Sequence, residues 1–198
     1  MQRRSFLTAL PLISSPMLLE AAGQPLEPIQ SDSPYFIGPK PGYTPHIGVL
    51  VGKMNYIRNT VLYLVEGMST RDLDYLHDEN SNTIGAMLLH LAVTEKYYQE
   101  ESLSGKFSGF KDDLGEAASD LGDRGRSMIK GNPLNFYLDA LAEVRETSLV
   151  GLKEKDDEWL MEIIDEENQV NTYFAWFHVC EHEANHRGLI AYLKKRIS

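Results

Sequence analysis

The chain has 198 residues, 42% of them hydrophobic, a single cysteine and a formal net charge of -10. That length suits one domain with an appendage, and the apolar content is enough for a packed core rather than a disordered chain. The acidic balance counts against nucleic acid or an anionic lipid surface as a partner, and the lone Cys180 excludes an internal disulfide.

Residues 1–23 open with Arg3 and Arg4, pass through a short apolar run and end on the small residues Ala21, Ala22 and Gly23. This layout predicts an export signal of twin-arginine character, removed on maturation. A membrane anchor is the weaker reading, because Pro11, Pro16 and Glu20 interrupt the run. The mature protein is then expected in the periplasm or secreted, without a stable membrane anchor. Six of the nine prolines lie between residues 25 and 45, so 24–45 reads as an extended linker. From His46 onward only Pro133 remains, and 46–198 can be one helical domain.

Periodicity places four helices in that domain. The first, about 46–68, carries Ile47, Leu50, Val51, Met54, Ile57, Val61, Leu64 and Val65 on one stripe. The second, about 83–103, begins after Ser81-Asn82-Thr83 and repeats Ile84, Met87, Leu88 and Leu91. Residues 104–131 hold six of the fifteen glycines and read as a long irregular crossover. A third helix, about 133–153, starts with Asn132 as cap and Pro133 in its first position. A shorter helix around 156–164 precedes the fourth, about 171–196, and no strand alternation is evident. Short links on either side of one long crossover describe an all-α four-helix bundle.

The fourth helix holds three of the six histidines, His178, His182 and His186, four residues apart. Such residues form one line with a drift of only about 40° per step, and Ala175, Val179, Leu189 and Leu193 lie near it. The line is therefore expected to face the core, where imidazoles need partners and a metal ion is a ready one. One ion cannot use all three, since His178 and His186 are about 12 Å apart along the axis. The pair is 178/182 or 182/186, with a third ligand from elsewhere. His90, on the flank of the second helix's stripe beside Met87 and Thr94, is the best external ligand. Glu95, inside that stripe, is expected either to accept from a ligand N–H or to pair with a lysine or arginine.

His182-Glu183-Ala184-Asn185-His186 also matches the H-E-x-x-H pattern of zinc proteases, with Glu183 as general base. The tail after His186 offers no further histidine or carboxylate side chain, and no substrate-aligning strand is predicted, so the two-histidine metal reading stands without the protease. Glu183 lies about 100° from His182 and is equally compatible with solvent. Cys180 lies about 160° away and is not expected as a ligand.

His90 in its "LLHL" context, together with "HEANHRGLI" near the end, resembles the DinB-like superfamily over about residues 46–196, although Leu189 stands where that family often has glutamine. The resemblance implies an up-down-down-up four-helix bundle with a metal site of His90, His182 and His186, leaving His178 as an accessory or a coincidence. It implies thiol S-transfer or metal-dependent hydrolysis of a small molecule, and it is compatible with a homodimer. Three histidines leave a position for water or substrate, the arrangement of catalytic zinc, while nickel, iron or copper also suit imidazole. The alternative is a non-catalytic bundle braced by its metal or serving as an interaction module. The cluster Tyr173, Phe174, Trp176 and Phe177 reads as core or dimer surface, and Asp156-Asp157-Glu158 as a solvated helix start.

Overall fold

The computed structural model describes residues 33–197, so the predicted export signal, 1–23, and linker residues 24–32 lie outside the described residues. Four long helices dominate: α1 (Pro45–Val65), α3 (Ile84–Ser104), α6 (Leu134–Lys153) and α7 (Thr172–Lys194). Between them lie α2 (Thr70–Leu73), α4 (Asp113–Asp120), α5 (Gly122–Met128), a 3₁₀ turn (Trp159–Met161), and the strands β1 (Ile163–Asp165) and β2 (Val170–Asn171). The protein is mostly helical, consistent with the all-α class.

The stripe of α1 is buried at Ile47, Leu50, Val51, Met54, Val61 and Val65, with Ile57 and Leu64 half-buried, and its start is stabilised from a distance. Thr44 Oγ1 donates to Asp157, and the amides of His46 (3.1 Å) and Ile47 (3.2 Å) donate to Asp157 Oδ1. The carboxylate expected to serve a local helix start thus caps another helix, satisfying amides that have no partner within α1. Asp156 serves locally instead, accepting from the Trp159 amide at 2.9 Å. Burial pushes the Asp157 pKa up, but bonds from Thr44, His46 and Ile47 outweigh this and hold it below the usual carboxylate range. A lowered folded pKa contributes stability that is present above the unfolded value and lost as pH falls below it. Asp157→Ala is expected to lose about 1–2 kcal/mol near neutral pH, with the gap to wild type closing below about pH 4. Urea melts across pH check both.

Residues 33–44 carry no helix but lie against α1. A Cβ at Gly48 would stand 2.5 Å from the Lys40 amide nitrogen, and one at Gly52 would meet Ile37 Cα at 3.6 Å. The described end of the linker is therefore packed rather than free.

Helix α3 is covered on several sides, by α6, α7 and α4, which is why nearly every residue from Ile84 to Val93 is buried. It begins on Thr83, whose hydroxyl accepts from the Ala86 amide at 3.1 Å, and ends on Gly105 at φ 71°. Helices α3 and α6 run in the same direction, with Gly85 against the Tyr137 phenol near their starts and Gly151 against Leu103 near their ends. Helix α7 runs opposite to α3: Trp176 Nε1 donates to Ser102 Oγ at 3.1 Å, and His182 meets His90 further along. At their C-terminal ends α1 and α7 lie together, Lys194 Nζ donating to the Leu64 carbonyl at 2.6 Å.

The crossover 104–131 departs from the irregular loop expected. Asp112 caps α4, accepting from the Gly115 amide at 2.8 Å, and Ala117 and Ala118 are buried. These helices are too short to show a period, and the surrounding glycines mask them. The predicted helix around 156–164 reduces to the 3₁₀ turn and β1, which pairs antiparallel with β2. Helix α6 starts one residue later than expected, with Pro133 as its cap.

Candidate metal centre

Helix α7 presents its deepest face through Ala175, Val179, Glu183 and Ile190, whereas Leu189 is 48% exposed. The core-facing direction is thus displaced from the histidine line, which runs along the half-buried flank facing α3. There His182 Nε2 lies 3.0 Å from His90 Nε2 and 3.2 Å from His186 Nε2. The ligand atoms of all three lie within 4.8 Å of one another.

The tautomer of His90 follows from its partner. Its Nδ1 lies 2.8 Å from the Ala118 carbonyl, which can only accept, so Nδ1 carries the proton and Nε2 turns its lone pair toward the other two rings. The carbonyl comes from α4, so the crossover read as irregular orients a candidate ligand. Burial, reinforced by His186, His90 and His178, pushes the His182 pKa down to about 3. Burial and His90 push His186 down to about 4. His90 is lowered as well, by burial, against an opposing effect of the Ala118 carbonyl. All three are neutral near pH 7, the form that binds a metal.

Without a cation the cluster is poorly satisfied. A single proton on His182 Nε2 cannot serve two ring nitrogens fully. Two nitrogens at about 2.0–2.1 Å from a tetrahedral zinc ion stand about 3.3–3.4 Å apart, close to the spacings to His182. The donor set and its spacing fit a divalent ion. His178 stands one turn away, its ring centroid 5.5 Å from that of His182, and it does not join the cluster.

The two glutamates do something else. Glu95 does not accept from a ligand histidine. Its oxygens receive Arg145 Nε (2.8 Å), Arg145 Nη2 (3.0 Å) and Arg58 Nη2 (2.8 Å), realising the alternative of an arginine partner. Glu183 receives Arg58 Nε and, at 3.2 Å, Arg145 Nη2. Its oxygens are engaged by the two arginines, and it is buried rather than facing solvent. Arg58 and Arg145 complete their bonds on the Leu141 and Met54 carbonyls, at 2.7 and 2.8 Å. Each of the four long helices gives one member to this neutral quartet, whose residues are all at most 6% exposed. Arg58 and Arg145 were missed in the sequence, although each interrupts an apolar stripe, beside Met54 and Val61 and beside Leu141 and Val144. Burial pushes the Glu95 pKa up, but the two arginines outweigh this and hold it below the usual range. Cys180 is buried, and desolvation pushes its thiol up to about 12, leaving it an inert core group.

No curated protein matches the sequence. The mycothiol-S-transferase family profile matches residues 49–198, which spans the three histidines, the quartet and the four long helices apart from the first four residues of α1. On that match the chain belongs to the mycothiol-S-transferase family, a member of the DinB-like superfamily.

Proposed function

We propose that His90, His182 and His186 hold one divalent metal ion, zinc in the first instance, and that the protein is a metal-dependent S-transferase acting on a low-molecular-weight thiol. The convergence of three neutral imidazole nitrogens carries this reading, and the family supports the reaction class. Bound there, a divalent ion supplies a Lewis acid that favours the thiolate form of a thiol at neutral pH. In the transfer the thiol loses its proton and the sulfur bonds to an electrophilic carbon. The carbon's leaving group departs with the bonding pair and takes up a proton. The chain's contribution is positional: the Ala118 carbonyl fixes the His90 ring, and α7 holds the other two histidines one turn apart.

The helix directions support reading α1, α3, α6 and α7 as an up-down-down-up four-helix bundle. With this we read residues 1–23 as an export signal, 46–198 as the domain, and the periplasm or exterior as the place of action. The test is consumption of free thiol in the presence of an alkylating acceptor, comparing metal-loaded protein with protein stripped by a chelator. Metal-dependent loss of thiol with a matching thioether product is expected. Metal-dependent hydrolysis of ester or amide substrates with no thioether would instead assign the site to a hydrolase.

A further inference from the structure

Helix α4 ends with a change of hydrogen-bond partners. In a helix that ran on, the Ala118 carbonyl would accept from the amide four residues later, that of Gly122. Instead the Gly122 amide donates to Asn82 Oδ1 at 3.0 Å, and the Ala118 carbonyl lies 2.8 Å from His90 Nδ1. Both exchanged bonds lead to one element. Asn82 immediately precedes Thr83, the cap of α3, and His90 sits about two turns inside that helix. Because Thr83 does the capping, the Asn82 side chain is left to serve the crossover instead.

The backbone is bent where the exchange occurs. The Leu121 amide still closes on the Ala117 carbonyl at 3.0 Å, but Leu121 itself stands at φ 56° and ψ -142°, a conformation that only glycine enters readily. Gly122 follows at φ 56°. This turn breaks the helical ladder between Ala118 and Gly122 and swings the freed amide toward Asn82. A second tie holds the same loop, since Arg126 Nη1 donates to the Asn80 and Ser81 carbonyls at 3.2 and 3.3 Å. Ala117 and Ala118 are fully buried, so the Ala118 carbonyl has no ready access to water and needs a donor from the protein.

We propose that Asn82 is a positioning residue of the metal centre. By holding the Gly122 amide it leaves the Ala118 carbonyl to His90, and so keeps the proton on His90 Nδ1 and the Nε2 lone pair turned toward His182 and His186. Asn82 itself touches neither the ion nor a substrate. Without its oxygen, the Gly122 amide is free to close on Ala118, α4 lengthens by one residue, and His90 loses the acceptor that fixes its tautomer. This rests on the metal reading above for what His90 binds, but not for how His90 is held.

Nitrogen-15 spectra of the histidine rings in the metal-free full chain read the His90 tautomer directly. The wild type is expected to show the Nδ1–H form alone, and Asn82→Ala a mixture of both forms. Asn82→Asp keeps an acceptor oxygen in the same place and retains the single form. Zinc affinity, measured by competition with a chromophoric chelator, is expected to fall about tenfold in Asn82→Ala and to stay within about twofold of wild type in Asn82→Asp. Asp157→Ala weakens the start of α1 instead and serves as the control for lost stability, with both readouts unchanged. The proposal is overturned if His90 keeps its single tautomer in Asn82→Ala, if Asn82→Asp fails as the alanine variant does, or if Asp157→Ala loosens zinc equally. If the wild type holds no zinc, the metal reading falls and the role at a metal centre with it, while the tautomer comparison still decides whether Asn82 positions His90.

Discussion

Arg145→Met is expected to lose about 3–5 kcal/mol of stability, measured as a shift in urea midpoint at constant m-value. The wild-type quartet balances two guanidinium groups against two carboxylates, all almost completely buried. Removing Arg145 takes away one of the two cations that touch both Glu95 and Glu183 and leaves two carboxylates sharing Arg58. It also leaves the Met54 carbonyl without its guanidinium donor. The cost therefore arises from uncompensated buried charge rather than from lost attraction. A cleft of about 810 Å³ between α1 and α6 is bordered by both arginines, which lets water reach the variant site and favours the lower end of that range.

The pH dependence gives a second readout of the same change. In the wild type the Glu95 pKa is lowered, so its contribution is present above the unfolded value and fades as pH falls below it. In Arg145→Met the desolvation that already opposes ionisation of Glu95 goes unanswered on that side, and its folded pKa rises. A raised pKa reverses the slope: the variant loses stability as pH climbs from about 4.5 toward neutrality. Arg145→Met combined with Glu95→Leu restores charge balance around Arg58–Glu183 and is expected to recover most of the loss. A single variant within about 1 kcal/mol of wild type would show that the quartet is solvated and does not brace the four helices.

His182→Ala is expected to abolish stable metal binding, reducing bound divalent ion from about one equivalent to a trace by elemental analysis. His182 is central in the cluster, its Nε2 contacting the Nε2 atoms of both His90 and His186. Removing an outer-shell partner of a ligand costs about 10–100-fold in affinity, so removing the central ligand should exceed that. His182→Ala/His186→Ala leaves His90 alone and should retain no metal, while the helical circular dichroism persists because neither imidazole lies in the deepest core. Equal metal content in wild type and double variant, or none in either after supplementation, would sink the coordination reading.

Much of this protein is determined by its sequence read alone. Helical class and the four long helices follow from apolar spacing near 3.6 residues, because that period survives in any helix that packs one face. The mutual proximity of His182 and His186 follows from their four-residue separation on one helix. The elements of 104–131 were not legible: helices of eight and seven residues are held by packing, α4 against α3 and α5 against α4, rather than by a pattern of their own. Which way α7 is turned was decided by the neighbouring helices. A rotation of about one residue sends Glu183 to the arginines and the histidines to the flank. The Ala118 carbonyl that sets the His90 tautomer has no side-chain signature at all. Nor could Glu95 announce its partners, since Arg58 and Arg145 lie 37 and 50 residues away in the chain and meet it only when the helices pack. Residue spacing along one helix is a local property. Contact between helices depends on their rotation and depth, and only tertiary packing sets those.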